Sequence, residues 1–185
     1  MWFAGCPHKC YGCSNPELWD SETVPNVSVD DVFLAILKAS GTQINGITIT
    51  GGEPFAQIDE LCDLVGKLRR FTDDILIYTG YTLTELLKAK NNKTMNVLDS
   101  IAVLIDGKYI NSENDCEPLI GSRNQNIHYF KESIKSVYTD YISQMRERKY
   151  IQNFSSDKNV ISVGIHSSGF DKDFDYNMRE SYHFL

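Results

Sequence analysis

Three of the five cysteines in this 185-residue chain stand within one short stretch, Cys6-Pro7-His8-Lys9-Cys10-Tyr11-Gly12-Cys13. Free cysteine is a common core residue but rarely gathers on a loop. Gly5, Pro7, Gly12 and Pro16 punctuate the segment, so neither helix nor strand suits it. Thiolates are soft ligands that favour iron–sulfur clusters, zinc or Cu(I). A cubane cluster normally takes four cysteines, so three local thiols leave one iron for another ligand. A zinc site and three ordinary buried thiols are the alternatives. The odd cysteine count and the clustering do not suit a disulfide framework. The pattern belongs in a reducing compartment, and the expected localisation is cytoplasmic.

Composition narrows the function further. Hydrophobic residues make up 42% and charged residues 23% of the chain, as in an ordinary globular protein. A net charge of −7 argues against a nucleic-acid-binding surface as the main function. No run approaches the roughly 18 apolar residues of a membrane helix. The start shows no basic segment followed by an apolar one, so no signal peptide and no membrane partner are expected.

Along the chain, Met1 to Ala4 reads as the end of a strand that delivers the cysteine loop. A helix is expected over 28–40, with Ser28 as its cap and Val29, Val32, Phe33, Ile36 and Leu37 on one face. A β-branched strand over 45–50 runs straight into Gly51-Gly52-Glu53-Pro54-Phe55. A helix follows at 57–70, with Cys62 on its apolar stripe. A second strand at 74–79 ends at Gly80. Thr82 and Glu85 form a capping box for a short helix. Asn91-Asn92-Lys93 reads as a turn, and a third strand spans 100–105 before Asp106-Gly107-Lys108. A fourth strand is expected over 126–130, a helix over 131–149 and a late strand over 160–165.

This alternation implies βα units and a mostly parallel α/β sheet, with ligands at the carboxyl ends of its strands. Gly51, Gly52 and Glu53, then Tyr78, then Asp106 and Lys108 follow successive strands. His8 is a candidate to tune a cluster through a hydrogen bond, and Trp19 a candidate to pack over the loop. Cys116 stands in a polar loop, and His166 with Ser167-Ser168-Gly169 follows a strand without a nucleophile motif.

The spacing C-x3-C-x2-C followed by a strand-end Gly-Gly-Glu resembles the radical S-adenosylmethionine superfamily. Gly5-Cys6-Pro7-His8-Lys9-Cys10-Tyr11-Gly12-Cys13-x-Asn15-x-x-x-Trp19 is similar to the cluster loop of the activating proteins of anaerobic ribonucleoside-triphosphate reductase. Thr50-Gly51-Gly52-Glu53-Pro54-Phe55, Tyr78-Thr79-Gly80-Tyr81, Ile105-Asp106-Gly107-Lys108-Tyr109 and Gly121-Ser122-x-Asn124-Gln125 resemble later segments of that family in the same order. Two departures stand out. Family members usually carry a further stretch before the cluster loop, and residues 131–185 exceed the compact family pattern.

The resemblance implies a partial, open barrel of the radical S-adenosylmethionine type over 1–130, with a C-terminal α+β extension over 131–185. It implies a [4Fe–4S] cluster on Cys6, Cys10 and Cys13, with S-adenosylmethionine on the fourth iron. Gly51, Gly52 and Glu53 would meet the amino end of its methionine moiety. Tyr78, Asp106, Lys108 and Asn124 are the further cofactor-binding candidates, with Tyr81 and Gln125 beside them and no catalytic side chain beyond the cluster. The implied activity is reductive cleavage to a 5′-deoxyadenosyl radical that takes a hydrogen atom from a glycine of the reductase large subunit. A flavodoxin or ferredoxin is the implied electron donor. The rivals are a small-molecule radical enzyme resembling 7-carboxy-7-deazaguanine synthase and a non-catalytic metal-binding interaction module.

Overall fold

The computed structural model describes residues 1–40, 43–115, 117–147, 152–155 and 160–163. Cys116, His166 and the Ser167-Ser168-Gly169 segment lie outside the described residues. In chain order the elements are β1 (Trp2–Phe3), α1 (Val29–Ser40), β2 (Ile47–Gly51), α2 (Ile58–Leu68), β3 (Ile75–Tyr78) and α3 (Leu83–Lys88). They continue with α4 (Asn92–Ser100), β4 (Val103–Asp106), β5 (Asn126–Tyr129), α5 (Glu132–Glu147), β6 (Gln152–Ser155) and β7 (Val160–Val163).

Five strands form one open sheet in the order β1-β2-β3-β4-β5, and β6 pairs antiparallel with β7 in a separate two-stranded sheet. β1 to β4 are parallel, with Thr48 opposite Leu76 and Leu76 opposite Val103. β5 is antiparallel to β4 and pairs Asp106 with Asn126. The first residues of the chain make the far edge. Met1 donates its terminal ammonium to the Thr48 carbonyl at 2.7 Å and accepts from Thr50 N at 2.9 Å.

Strand side chains alternate between faces, and both faces are covered. On one, Ile49, Ile75, Ile77 and Leu104 pack with Leu61, Leu64, Val65 and Leu68 of α2 and Val97 and Leu98 of α4. Val29, Val32, Phe33 and Ile36 of α1 close this layer. Cys62 packs against it as well, the core role expected of it. On the other face Leu76, Val103 and Ile105 meet Leu119, Ile120 and, from α5, Ile134 and Tyr138. Burial on both sides is why these strands read as unbroken apolar runs. Each such Ile or Leu contributes about 1.5–3 kcal/mol relative to exposure.

Helix starts follow the sequence signals. Asp31 N donates to Ser28 Oγ at 3.1 Å ahead of α1. Thr82 and Glu85 form the complete capping box of α3. One expectation is corrected. Asn91-Asn92-Lys93 is not a turn between α3 and a strand but the start of α4, with Asn91 Oδ1 accepting from Lys93 N at 2.8 Å and Thr94 N at 3.4 Å. The third strand accordingly begins at Val103 rather than Ser100.

α5 is held at the start of β3. Tyr138 donates to Asp74 Oδ1 at 2.7 Å, and Lys131 pairs with Asp73 at 2.5 Å. Val137 and Tyr141 stand on its exposed side, so only part of the apolar stripe is spent on the sheet. Among the described residues no helix is long and apolar enough to cross a membrane.

Candidate functional site

The cysteine loop leaves β1 and is closed at its base by two backbone hydrogen bonds. Gly5 N donates to Leu18 O at 2.8 Å, and Cys6 N to Trp19 O at 3.0 Å. A short turn at Pro16–Leu18 carries the chain back to this base. Trp19 lies against it, with its indole Nε1 buried and unpartnered among the described residues. Inside the loop, Lys9 takes a left-handed φ of 47°, Cys13 N donates to Cys10 O at 3.2 Å, and Asn15 N donates to Cys13 Sγ at 3.4 Å.

Cys6, Cys10 and Cys13 are free thiols, each partly exposed. Burial pushes the Cys10 thiol up. The other two thiols add to that push, while the Tyr109 N–H and Lys108 oppose it. Cys10 therefore feels the charge of both Cys6 and Cys13. Among the described residues no three His, Cys, Asp or Glu side chains converge on a single-ion site. A closed zinc site needs four ligands at about 2.0–2.3 Å from one ion. A cubane instead spreads its thiolates over different irons. Three partly exposed thiols, with no fourth His, Cys, Asp or Glu side chain converging on them among the described residues, suit a cubane with one open iron.

The Gly51-Gly52 turn at the end of β2 receives this loop. Gly52 N donates to Phe3 O at 2.7 Å and Glu53 N to Gly5 O at 2.8 Å. Gly51 has a φ of +109°, and a Cβ there would overlap the backbone of Phe3. A Cβ on Gly52 would overlap the Gly5 carbonyl. The pair of glycines is thus what permits the base of the cysteine loop to lie directly on the strand end.

Glu53 is fully buried. Its Oε1 accepts from Phe55 N at 2.9 Å and Thr79 Oγ1 at 2.9 Å. Its Oε2 accepts from Gly80 N at 2.7 Å and meets His8 Nε2 at 3.0 Å. A carboxylate oxygen only accepts, so Nε2 carries the hydrogen in this contact. The His8 ring is stacked edge-on against Tyr81, with centroids 4.5 Å apart.

A family model described as a 4Fe-4S single cluster domain matches residues 1–128. Similar proteins include the anaerobic ribonucleoside-triphosphate reductase-activating proteins of Escherichia coli K12 and Haemophilus influenzae. The first is 31% identical over 138 residues, spanning 71% of this chain and 87% of that protein. The second is 35% identical over 140 residues, spanning 71% and 86%. The chain belongs to the family of these activating proteins. The family member of bacteriophage T4 is 32% identical over 113 residues, covering 59% of this chain and 69% of its own length. No solved structure matches the chain.

The other candidates of this family member lie around the same strand ends. Tyr78 packs on the α5 side of the sheet, and its hydroxyl donates to Leu119 O at 2.7 Å. Burial pushes that phenol up to about 12. Asp106 faces the helical layer. It accepts from Leu83 N at 2.6 Å and Asn126 Nδ2 at 3.1 Å, so it caps α3 and ties it to β5. His128 Nε2 stands 2.9 Å from its Oδ2 without the alignment of a hydrogen bond. Burial pushes the Asp106 carboxyl up, but the Leu83 N–H, the Asn126 amide and His128 outweigh it and hold the group below the usual carboxylate range.

Asn124 and Gln125 shape the loop after β4 from within. Asn124 Nδ2 donates to Lys108 O and Gln125 Nε2 to Gly107 O, both at 2.8 Å. Lys108 is exposed at the tip of that loop and makes no ion pair among the described residues. Two contributors escaped the sequence reading. Thr79 bonds Glu53, and Asn111 lies against Gly12, where a Cβ would come within 2.5 Å of its Oδ1. Both contacts are tertiary, and nothing local in the sequence marks them.

Proposed function

We propose that this chain activates an anaerobic ribonucleoside-triphosphate reductase, with Cys6, Cys10 and Cys13 holding a [4Fe–4S] cluster and S-adenosylmethionine bound at its open iron. When bound, such a cluster supplies one electron to the sulfonium, giving methionine and a 5′-deoxyadenosyl radical that takes a hydrogen atom from a glycine of the reductase large subunit. The observation that carries this reading is the seating of a three-thiol loop on the Gly51-Gly52 strand end, in a chain of this family.

The protein's own groups have separable tasks. Gly51 and Gly52 bring backbone close to the cofactor's amino end. Tyr78 walls the second face of the sheet at the same height. Lys108 offers a free ammonium to a carboxylate or phosphate. Asn124 fixes the loop that carries Lys108, and Asp106 fixes the start of α3 beside it. The open, mostly parallel sheet supports the reading of a partial barrel of the radical S-adenosylmethionine type, whose unclosed side would admit a macromolecular substrate. We assign the protein to the cytoplasm, with a flavodoxin or ferredoxin as electron donor.

The test is anaerobic. The reconstituted, reduced protein is mixed with S-adenosylmethionine and the large subunit of an anaerobic ribonucleotide reductase. A glycyl-radical doublet in electron paramagnetic resonance is the expected result. Formation of 5′-deoxyadenosine without that doublet would move the assignment to a small-molecule substrate, and the absence of both products with an intact, reduced cluster would exclude the radical reading.

A further inference from the structure

We infer that Glu53 and His8 form a clamp that positions the cysteine loop, so that the carboxylate of the Gly-Gly-Glu turn is committed to the protein rather than to the ammonium of a bound cofactor. The inference rests on the cluster-and-cofactor reading above and revises one residue role within it.

An ionised carboxylate has about four acceptor sites. All four are filled here: Phe55 N and Thr79 Oγ1 on Oε1, Gly80 N and His8 Nε2 on Oε2, at 2.7 to 3.0 Å. The site is also dry, with the Glu53 side chain 0% and the His8 side chain 6% exposed. An incoming ammonium would have to displace one of these donors and leave it buried without a partner, which costs more than one new contact returns.

The donors come from three places that must be held together for the site to exist. His8 lies between Cys6 and Cys10. Phe55 follows β2, and Thr79 and Gly80 follow β3. The His8 ring is wedged as well as bonded. Tyr81 meets it edge-on, and a Cβ on Gly80 would come within 2.7 Å of Nε2. His8 is thus a positioning residue: it fixes the middle of the loop to the sheet, while Gly5 and Cys6 fix the base. Residues acting as one unit give non-additive losses when removed singly and together.

Hydrogen exchange on the metal-free protein tests the clamp without any cofactor. His8→Ala and Glu53→Gln should each speed exchange across residues 5–13 by about tenfold or more. The double variant should be no faster than the faster single, and His8→Gln, which restores an N–H donor, should recover part of the protection. Exchange in α2 serves as the check that the sheet still folds, and His8→Ala alone suffices if Glu53→Gln fails it. Unchanged loop exchange in His8→Ala would overturn the clamp.

A second arm uses the reconstituted protein, S-adenosylmethionine and an analogue lacking the amino group. Deleting the amino group should weaken binding by the same factor in the wild type and in Glu53→Gln. Loss of that discrimination in Glu53→Gln would show the carboxylate on the ammonium and overturn the inference. A wild-type protein that takes up neither cluster nor S-adenosylmethionine would sink the functional reading, while the exchange arm still decides the clamp.

Discussion

Replacing Thr79 by valine removes one hydroxyl from the site and almost nothing else. The side chain keeps its branched shape, and the residue is 4% exposed, so little water can enter to compensate. Two hydrogen bonds are lost: Thr79 Oγ1 to Glu53 Oε1 at 2.9 Å, and Tyr81 N to Thr79 Oγ1 at 3.1 Å. The first involves a charged group and is worth about 1.5–3 kcal/mol. The second leaves a partly buried N–H unpaired, at about 1 kcal/mol because water still reaches Tyr81. The buried methyl group returns about 0.8 kcal/mol. The net loss is about 2–3 kcal/mol. At about 2–4 °C per kcal/mol for a chain of this size, the melting temperature of the metal-free protein should fall by about 4–12 °C. Urea denaturation followed by circular dichroism should show a lower midpoint with an unchanged slope. Thr84→Val, on the exposed face of α3, is the control. A loss below about 0.5 kcal/mol, the range of ordinary surface changes, would refute the claim that Glu53 is held by a saturated hydrogen-bond set.

Two further outcomes follow from the same geometry. Gly52→Ala should leave the helices folded but abolish uptake of iron and labile sulfide, because the new Cβ pushes the Gly5 carbonyl and with it the cysteine loop off β2; normal uptake would contradict that seating. Burial raises the Tyr78 phenol from its ordinary value of 10.0 to about 12, so the fold favours the neutral form. Its stability contribution is complete below pH 10 and lost as pH rises through 12, with a slope of up to about 1.4 kcal/mol per pH unit. Alkaline unfolding followed by circular dichroism should be less steep in Tyr78→Phe, and an identical profile would count against the buried hydroxyl.

What the sequence disclosed depended on how local each signal was. The three thiols, the β-branched Ile47-Thr48-Ile49-Thr50 run and the stripe of α2 declare themselves within a few residues. α4 did not, because Asn91 and Asn92 serve turns and N-caps equally well, and nine residues carry too little periodicity to decide. The antiparallel direction of β5 has no local signature at all. The site divides in the same way. Cys6, Gly51 and Gly52 could be singled out, but the partner of Glu53 is His8, 45 positions away. Asp106 looked free after its strand because Leu83 N, 23 residues earlier, is invisible as its partner until the chain folds.

The central claim is that Cys6, Cys10 and Cys13 are the protein ligands of one [4Fe–4S] cluster. Iron and acid-labile sulfide, counted per chain after anaerobic reconstitution of the wild type and of four single cysteine-to-serine variants, test it most directly. The account predicts a full complement in the wild type and in Cys62→Ser, and loss of the cluster in Cys6→Ser, Cys10→Ser and Cys13→Ser. A complete cluster in any of those three, or its loss in Cys62→Ser, would contradict it.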